Sequence, residues 1–111
     1  KPKVYLNLGR ALGREKNDLA AAQQYLETGL KIAPNNIEIL INLGTLYGLQ
    51  QNFSKAIQVL EKAVQLKPNL SKPHIDLGLS YYYAGQLGLA KAEFDKAVTL
   101  DNTINRSQFP I

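Results

Sequence analysis

Two glycines set the frame for this chain. Gly44 and Gly78 stand 34 residues apart, and so do Ala56 and Ala90. Around the first of each runs Leu40-x-x-Leu43-Gly44-x-x-Tyr47, then Ala56-x-x-x-Leu60 and Ala63. Around the second runs His74-x-x-Leu77-Gly78-x-x-Tyr81, then Ala90-x-x-x-Phe94 and Ala97. A fixed period of this length marks a repeat architecture, in which each unit is one supersecondary element stacked on the next. Leu40, Leu43 and Tyr47 are three and four residues apart and share one helical face; Ala56, Leu60, Ala63 and Val64 do the same in a second helix. Gly44 and Ala56 lack bulk, which lets the two backbones approach closely. Between the helices, Gly48 to Asn52 reads as a polar turn with a helix-ending glycine. Pro68 closes the second helix, because it lacks an N–H and disfavours helix in the residue before it. Each unit is thus a pair of antiparallel helices that cannot cover its own apolar surface. Roughly three or more such units must stack for stability.

The flanking stretches supply the other units. The first begins near Pro2 and carries Tyr5-x-x-Leu8-Gly9-x-x-Leu12, with a turn from Gly13 to Asp18 that is one residue longer than the central one. Its second helix runs through Leu19, Ala22, Leu26 and Leu30 and stops at Pro34. Asn36 is a suitable N-cap for the central unit, with Glu38 at the positive helix end. The third unit starts near Ser71, an N-cap candidate, with Pro73 in its first turn, and its second helix spans about Leu87 to Leu100.

A large residue, Leu-Gly, an aromatic, then Ala and a further large residue at this period is the tetratricopeptide signature, and the chain resembles a tetratricopeptide-repeat (TPR) domain. The fold class expected is all-α: one α-solenoid domain over residues 1–111, with units at about 2–35, 36–69 and 70–103. Residues 104–111 are too short for another hairpin. They form a tail, a partial cap or the start of a further helix, with Ile104, Phe109 and Ile111 available to cover the flank of the third unit.

Composition narrows the classes of function. Hydrophobic residues make up 45% and charged residues 20%, ordinary for a folded domain, and no apolar run approaches the ~18 residues of a membrane span. With no Cys there is no disulfide or thiolate chemistry. The chain lacks Met and starts at Lys1, which reads as a piece of a longer protein or a processed product. No signal-peptide pattern opens it; the compartment is left unassigned, with the cytoplasm favoured over others. The net charge of +4 permits an acidic partner without demanding one. His74 is the sole histidine and takes a packing position, so no metal site is expected. No nucleophile–base pair and no phosphate-cradling glycine loop is readable, so neither catalysis nor a cofactor is expected.

The family resemblance implies a right-handed superhelix whose inner groove is lined by the first helix of every unit. Helical spacing then separates an inner face from the packing face. It holds Lys3, Leu6, Asn7, Arg10 and Arg14 in the first unit and Glu38, Ile41, Asn42, Thr45 and Leu49 in the second. The third adds Lys72, Ile75, Asp76, Leu79, Tyr82 and Tyr83. Asn7, Asn42 and Asp76 each precede the unit's glycine by two; in the family an Asn there often bonds the backbone of a bound extended peptide, since an amide both donates and accepts. Asp76 can only accept. Lys3, Arg10 and Arg14 make the amino-terminal end of the groove basic, although Glu15 and Asp18 offset them.

One family subclass clamps the terminal carboxylate of chaperone tails with five residues. Here only Asn42 and Lys72 match, while Leu6, Arg10 and Asp76 replace the other three, which argues against that ligand.

The partner expected is therefore another protein, presenting a peptide or helix to the groove of a scaffold, adaptor or assembly factor. The alternative is self-association through the flanks of the terminal repeats. Neither nucleic acid nor direct membrane insertion is expected.

Overall fold

A computed structural model describes residues 19–111 of the 111-residue chain. It contains five α-helices: α1 (Leu19–Ile32), α2 (Ile37–Leu49), α3 (Phe53–Leu66), α4 (Ser71–Tyr83) and α5 (Leu87–Leu100), then a 3-10 turn at Arg106–Gln108. No strand occurs among the described residues. Helix α1 takes the place of the second helix of the first unit; the first helix and turn expected from the sequence lie outside the described residues. The pairs α2–α3 and α4–α5 are the middle and last hairpins. Each helix packs on the next, and α2 also packs on α4, so the first helices of successive units are neighbours.

Local chemistry sets the helix ends. The Asn36 side chain accepts from the Ile39 N–H at 3.1 Å, and the Asn52 side chain from the Lys55 N–H at 3.4 Å. Both bonds reach the third helical residue. Helix α4 corrects the expectation for Ser71: its cap is Leu70, with no side-chain bond, and Ser71 is the first helical residue. The third helical residue there is Pro73, which has no N–H for a capping side chain to satisfy.

The turns carry a second correction. Gly48 does not end α2, which continues through Leu49; Gln51 holds the left-handed conformation instead, at φ 60. The Asn52 N–H bonds Tyr47 O at 2.8 Å and the Gln51 N–H bonds Gly48 O at 3.0 Å, a Schellman arrangement that satisfies the last carbonyls. In the last hairpin Gly85, at φ 83, takes that place, with Gln86 bonded to Tyr81 O and Gly85 to Tyr82 O. The helix runs one residue past Gly48, and the carbonyls of Gly48 and Tyr47 find their donors at residues 51 and 52.

The packing face reads as the spacing requires. Leu40, Leu43, Tyr47, His74, Leu77 and Tyr81 are buried, as are Ala56, Leu60, Ala63, Ala90, Phe94 and Ala97. The glycines, however, make room for side chains. A Cβ on Gly44 would lie 2.5 Å from Leu60, and one on Gly78 would lie 2.6 Å from the Phe94 ring. Each glycine is a notch for the large residue of the partner helix.

Tyrosines then tie the units together. Tyr47 donates from its hydroxyl to Glu27 Oε2 at 2.5 Å, and Tyr81 to Glu61 Oε2 at 2.6 Å. Burial, reinforced by the adjacent carboxylate, pushes both phenol pKa values well above the ordinary one.

Candidate functional site

Helices α2 and α4 lie side by side and leave an open concavity of about 410 Å³ between them. Thr45 and Leu49 of α2, Phe53 at the start of α3, and Asp76, Leu79 and Tyr83 of α4 line it. Gly48 also lines it, and a Cβ there would project into open space, with nothing within 4 Å. Leu49 is 65% exposed and Tyr83 62%. Such exposure of large apolar side chains beside a hollow provides contact area that water now covers. The Tyr83 ring stacks on Phe53 at 5.5 Å and meets Tyr82 edge-on at 5.3 Å, so the aromatic wall is braced from two sides.

The polar groups of the inner face are largely committed to their own helices. Asn42 donates from its amide nitrogen to Glu38 O at 2.6 Å, Thr45 from its hydroxyl to Ile41 O at 3.2 Å, and Ser80 to Asp76 O at 3.0 Å. Lys72 and Asp76 pair with each other, Nζ to Oδ2 at 2.9 Å. Of the groove residues chosen from spacing, Thr45, Leu49, Asp76, Leu79 and Tyr83 come together around the concavity. Glu38, Asn42, Lys72 and Tyr82 lie on the same two helices but do not line it. Lys3, Asn7, Arg10 and Arg14 lie outside the described residues. Phe53 and Gln51 join the lining without having been singled out, because the spacing argument followed first helices only. An aromatic directly after the turn was the available signal for Phe53.

His74 belongs to the packing of the last hairpin. Its Nε2 donates to Pro68 O at 2.8 Å, and its Nδ1 faces Glu93 Oε1 at 2.7 Å. Lys96 Nζ reaches the other Glu93 oxygen at 3.1 Å. Both rings nitrogens are thereby engaged in a buried site. Among the described residues no group of three His, Cys, Asp or Glu is arranged to hold a metal. Nor is any described helix long and apolar enough to cross a membrane.

Helical hairpins stacked with their first helices adjacent define the class: an all-α solenoid. Family models described as tetratricopeptide repeat match residues 14–69 and 72–104. The chain belongs to the tetratricopeptide-repeat family. Solved structures of the same fold include the first TPR of Spaghetti (RPAP3) bound to the HSP90 peptide SRMEEVD, at 18% identity. The alignment covers 97% of this chain and 85% of that one, with a TM-score of 0.91. The N-terminal domain of stress-induced protein-1 (STI-1) from C. elegans is 19% identical over 96% of this chain and 89% of that one, with a TM-score of 0.84. A mutant O-GlcNAc transferase of Thermobaculum terrenum is 30% identical over 91% of this chain, with a TM-score of 0.83; the match covers 19% of that enzyme. No curated protein matches the sequence.

Proposed function

We propose that this chain is a non-catalytic interaction module that takes a segment of a partner protein in the groove between α2 and α4. The observation that carries the reading is the open concavity with Leu49 and Tyr83 exposed at its edge. An apolar side chain of the guest packs against Leu49, Leu79 and Tyr83, and desolvating that surface supplies most of the affinity. Polar groups set the guest's orientation. Asn42 and Thr45 keep acceptor or donor capacity beyond their helix bonds, and Asp76 with Lys72 offers a charge of either sign once their exposed pair opens. Helical spacing in the sequence adds Lys3, Asn7, Arg10 and Arg14, which lie outside the described residues, and Glu38 and Tyr82 stand on the two groove helices. The first TPR of Spaghetti, which shares the fold, holds an HSP90 peptide. That precedent supports a peptide guest here, in a scaffold, adaptor or assembly factor, although the replaced carboxylate-clamp positions favour a different sequence.

A peptide array probed with the wild-type chain and with the Leu49→Ala/Tyr83→Ala variant tests this. Peptides retained by the wild type should weaken at least about tenfold against the variant, while its circular dichroism stays unchanged. Equal retention by both chains would place the binding surface elsewhere.

A further inference from the structure

We propose that the guest of the groove is a basic segment, one that sets an arginine guanidinium on Asp76 and a large apolar side chain against Leu49 and Tyr83. The inference rests on the reading that the concavity between α2 and α4 is the binding surface, and assigns the chemistry of what enters it.

The polar lining of the concavity is one-sided. Asp76 is the only charged side chain among the described residues that line it. The Asp76 side chain is 18% exposed and bonds Lys72 through Oδ2; no described residue bonds Oδ1. Lys72 is 66% exposed and does not line the hollow. Of that pair, then, the acid stands at the wall and the lysine reaches in from solvent. The two hydroxyls nearby add no donors. Thr45 gives its proton to Ile41 O and Ser80 gives its own to Asp76 O, which leaves each oxygen able only to accept. The donors that remain, the Gln51 amide and the Tyr83 hydroxyl, belong to the other end, where α2 and α4 finish.

A guest that closes the hollow strips water from this cluster of acceptors, and any acceptor left bare then weakens binding. Arginine answers it best. Its five N–H groups form a rigid fork that accepts nothing and pairs with a carboxylate through two bonds. Its aliphatic stem can lie along Leu79 while the charge sits on Asp76. An acidic group would instead meet Asp76 with like charge, and the nearest cation, Lys72, is already engaged. Charge complementarity therefore selects a basic guest over an acidic one. Spacing follows as well. Asp76 and Tyr83 are seven residues apart on α4, about 10 Å along its axis. The arginine and its apolar companion should match that separation, which is about three residues of an extended chain.

Random peptides displayed on phage and selected on the full chain supply the probes. Those that weaken against Leu49→Ala/Tyr83→Ala occupy the groove, and they should carry arginine. Replacing that arginine by glutamine in the synthetic peptide should weaken binding to the wild-type chain about tenfold or more, with a smaller fall against Asp76→Asn. The Asp76→Asn variant also frees Lys72, so it should bind the arginine-to-glutamate peptide better than the wild type does. A loss of fold would not produce that gain, and circular dichroism should match the wild type. Groove-dependent peptides that lack a basic residue, or that bind Asp76→Asn as they bind the wild type, overturn the proposal and leave the groove standing. If no selected peptide depends on Leu49 and Tyr83, the groove reading fails and this proposal fails with it.

Discussion

At the positions where the middle hairpin carries Leu40 and Val59, the last hairpin carries His74 and Glu93. Both solutions are buried or nearly so, yet they hold the helices by different means. The aliphatic pair contributes non-directional burial. The polar pair must first lose its hydration, which is offset only by fixed partners: the two side chains bond each other, Lys96 bonds Glu93, and the Pro68 carbonyl at the exit of α3 accepts from His74. The last hairpin is thereby fastened to the preceding unit at one defined point. The two turns differ in the same spirit, with Gln51 strained into a left-handed conformation that Gly85 adopts freely. One backbone plan accepts several side-chain chemistries provided that volume and hydrogen bonding close at each position.

The harshest way to break this comparison is to remove half of the polar pair. Glu93→Ala should cost about 3–5 kcal/mol, since it strands a buried histidine. The double change His74→Leu/Glu93→Val imports the middle hairpin's pair and should come within about 1.5 kcal/mol of the wild type, or exceed it. Urea denaturation of the two variants separates the outcomes. Equal losses would mean that the polar pair supplies net stability that packing cannot replace.

A smaller effect comes from the inter-unit tyrosines, which the two hairpins share. Tyr47→Phe and Tyr81→Phe should each cost about 1.5 kcal/mol by removing a bond to a carboxylate. Because folding raises both phenol pKa values, their contribution is complete below the unfolded value of 10.0 and is lost as pH rises through the folded values. The double Phe variant should therefore show a flatter loss of stability above pH 10 than the wild type, read from unfolding midpoints across that range.

Smallest is the exchange of turn residues. Gln51→Gly should stabilise by about 1 kcal/mol and Gly85→Gln should destabilise by a similar amount, the difference being the steric cost of a Cβ at positive φ. Opposite signs in thermal melts sharpen the comparison; a loss in both would show that Gln51 makes a contact worth more than its strain.

Much of the fold was legible before any coordinate. Gly44 and Gly78, with their large partners at fixed offsets, marked the hairpins, and the packing face was named residue by residue. What lay beyond reach was pairing across helices. Glu93 is a charged residue in step with Ala90 and Ala97; only its neighbour 19 residues back shows what satisfies it there. Phe53 reads as the start of a helix until Tyr83, thirty positions on, is laid against it. Gly48 looked like the helix stop because glycine commonly is one, but the carbonyls at Tyr47 and Gly48 drew the left-handed turn out to Gln51. The groove was legible as a set of side chains on one face. Asn42 and Asp76 were readable as polar and as four residues from Glu38 and Lys72, and the structure shows that they bond those neighbours within their own helices.

By itself the sequence determined the unit: period, hairpin, helix faces and family, because these follow from spacing and steric bulk within a few turns of one chain. Only the tertiary structure decided which acid meets which tyrosine, where the open concavity falls, and that Arg106 and Phe109 lie on α5. Those outcomes depend on distances between segments far apart in the chain, and a distance exists only once the helices have packed.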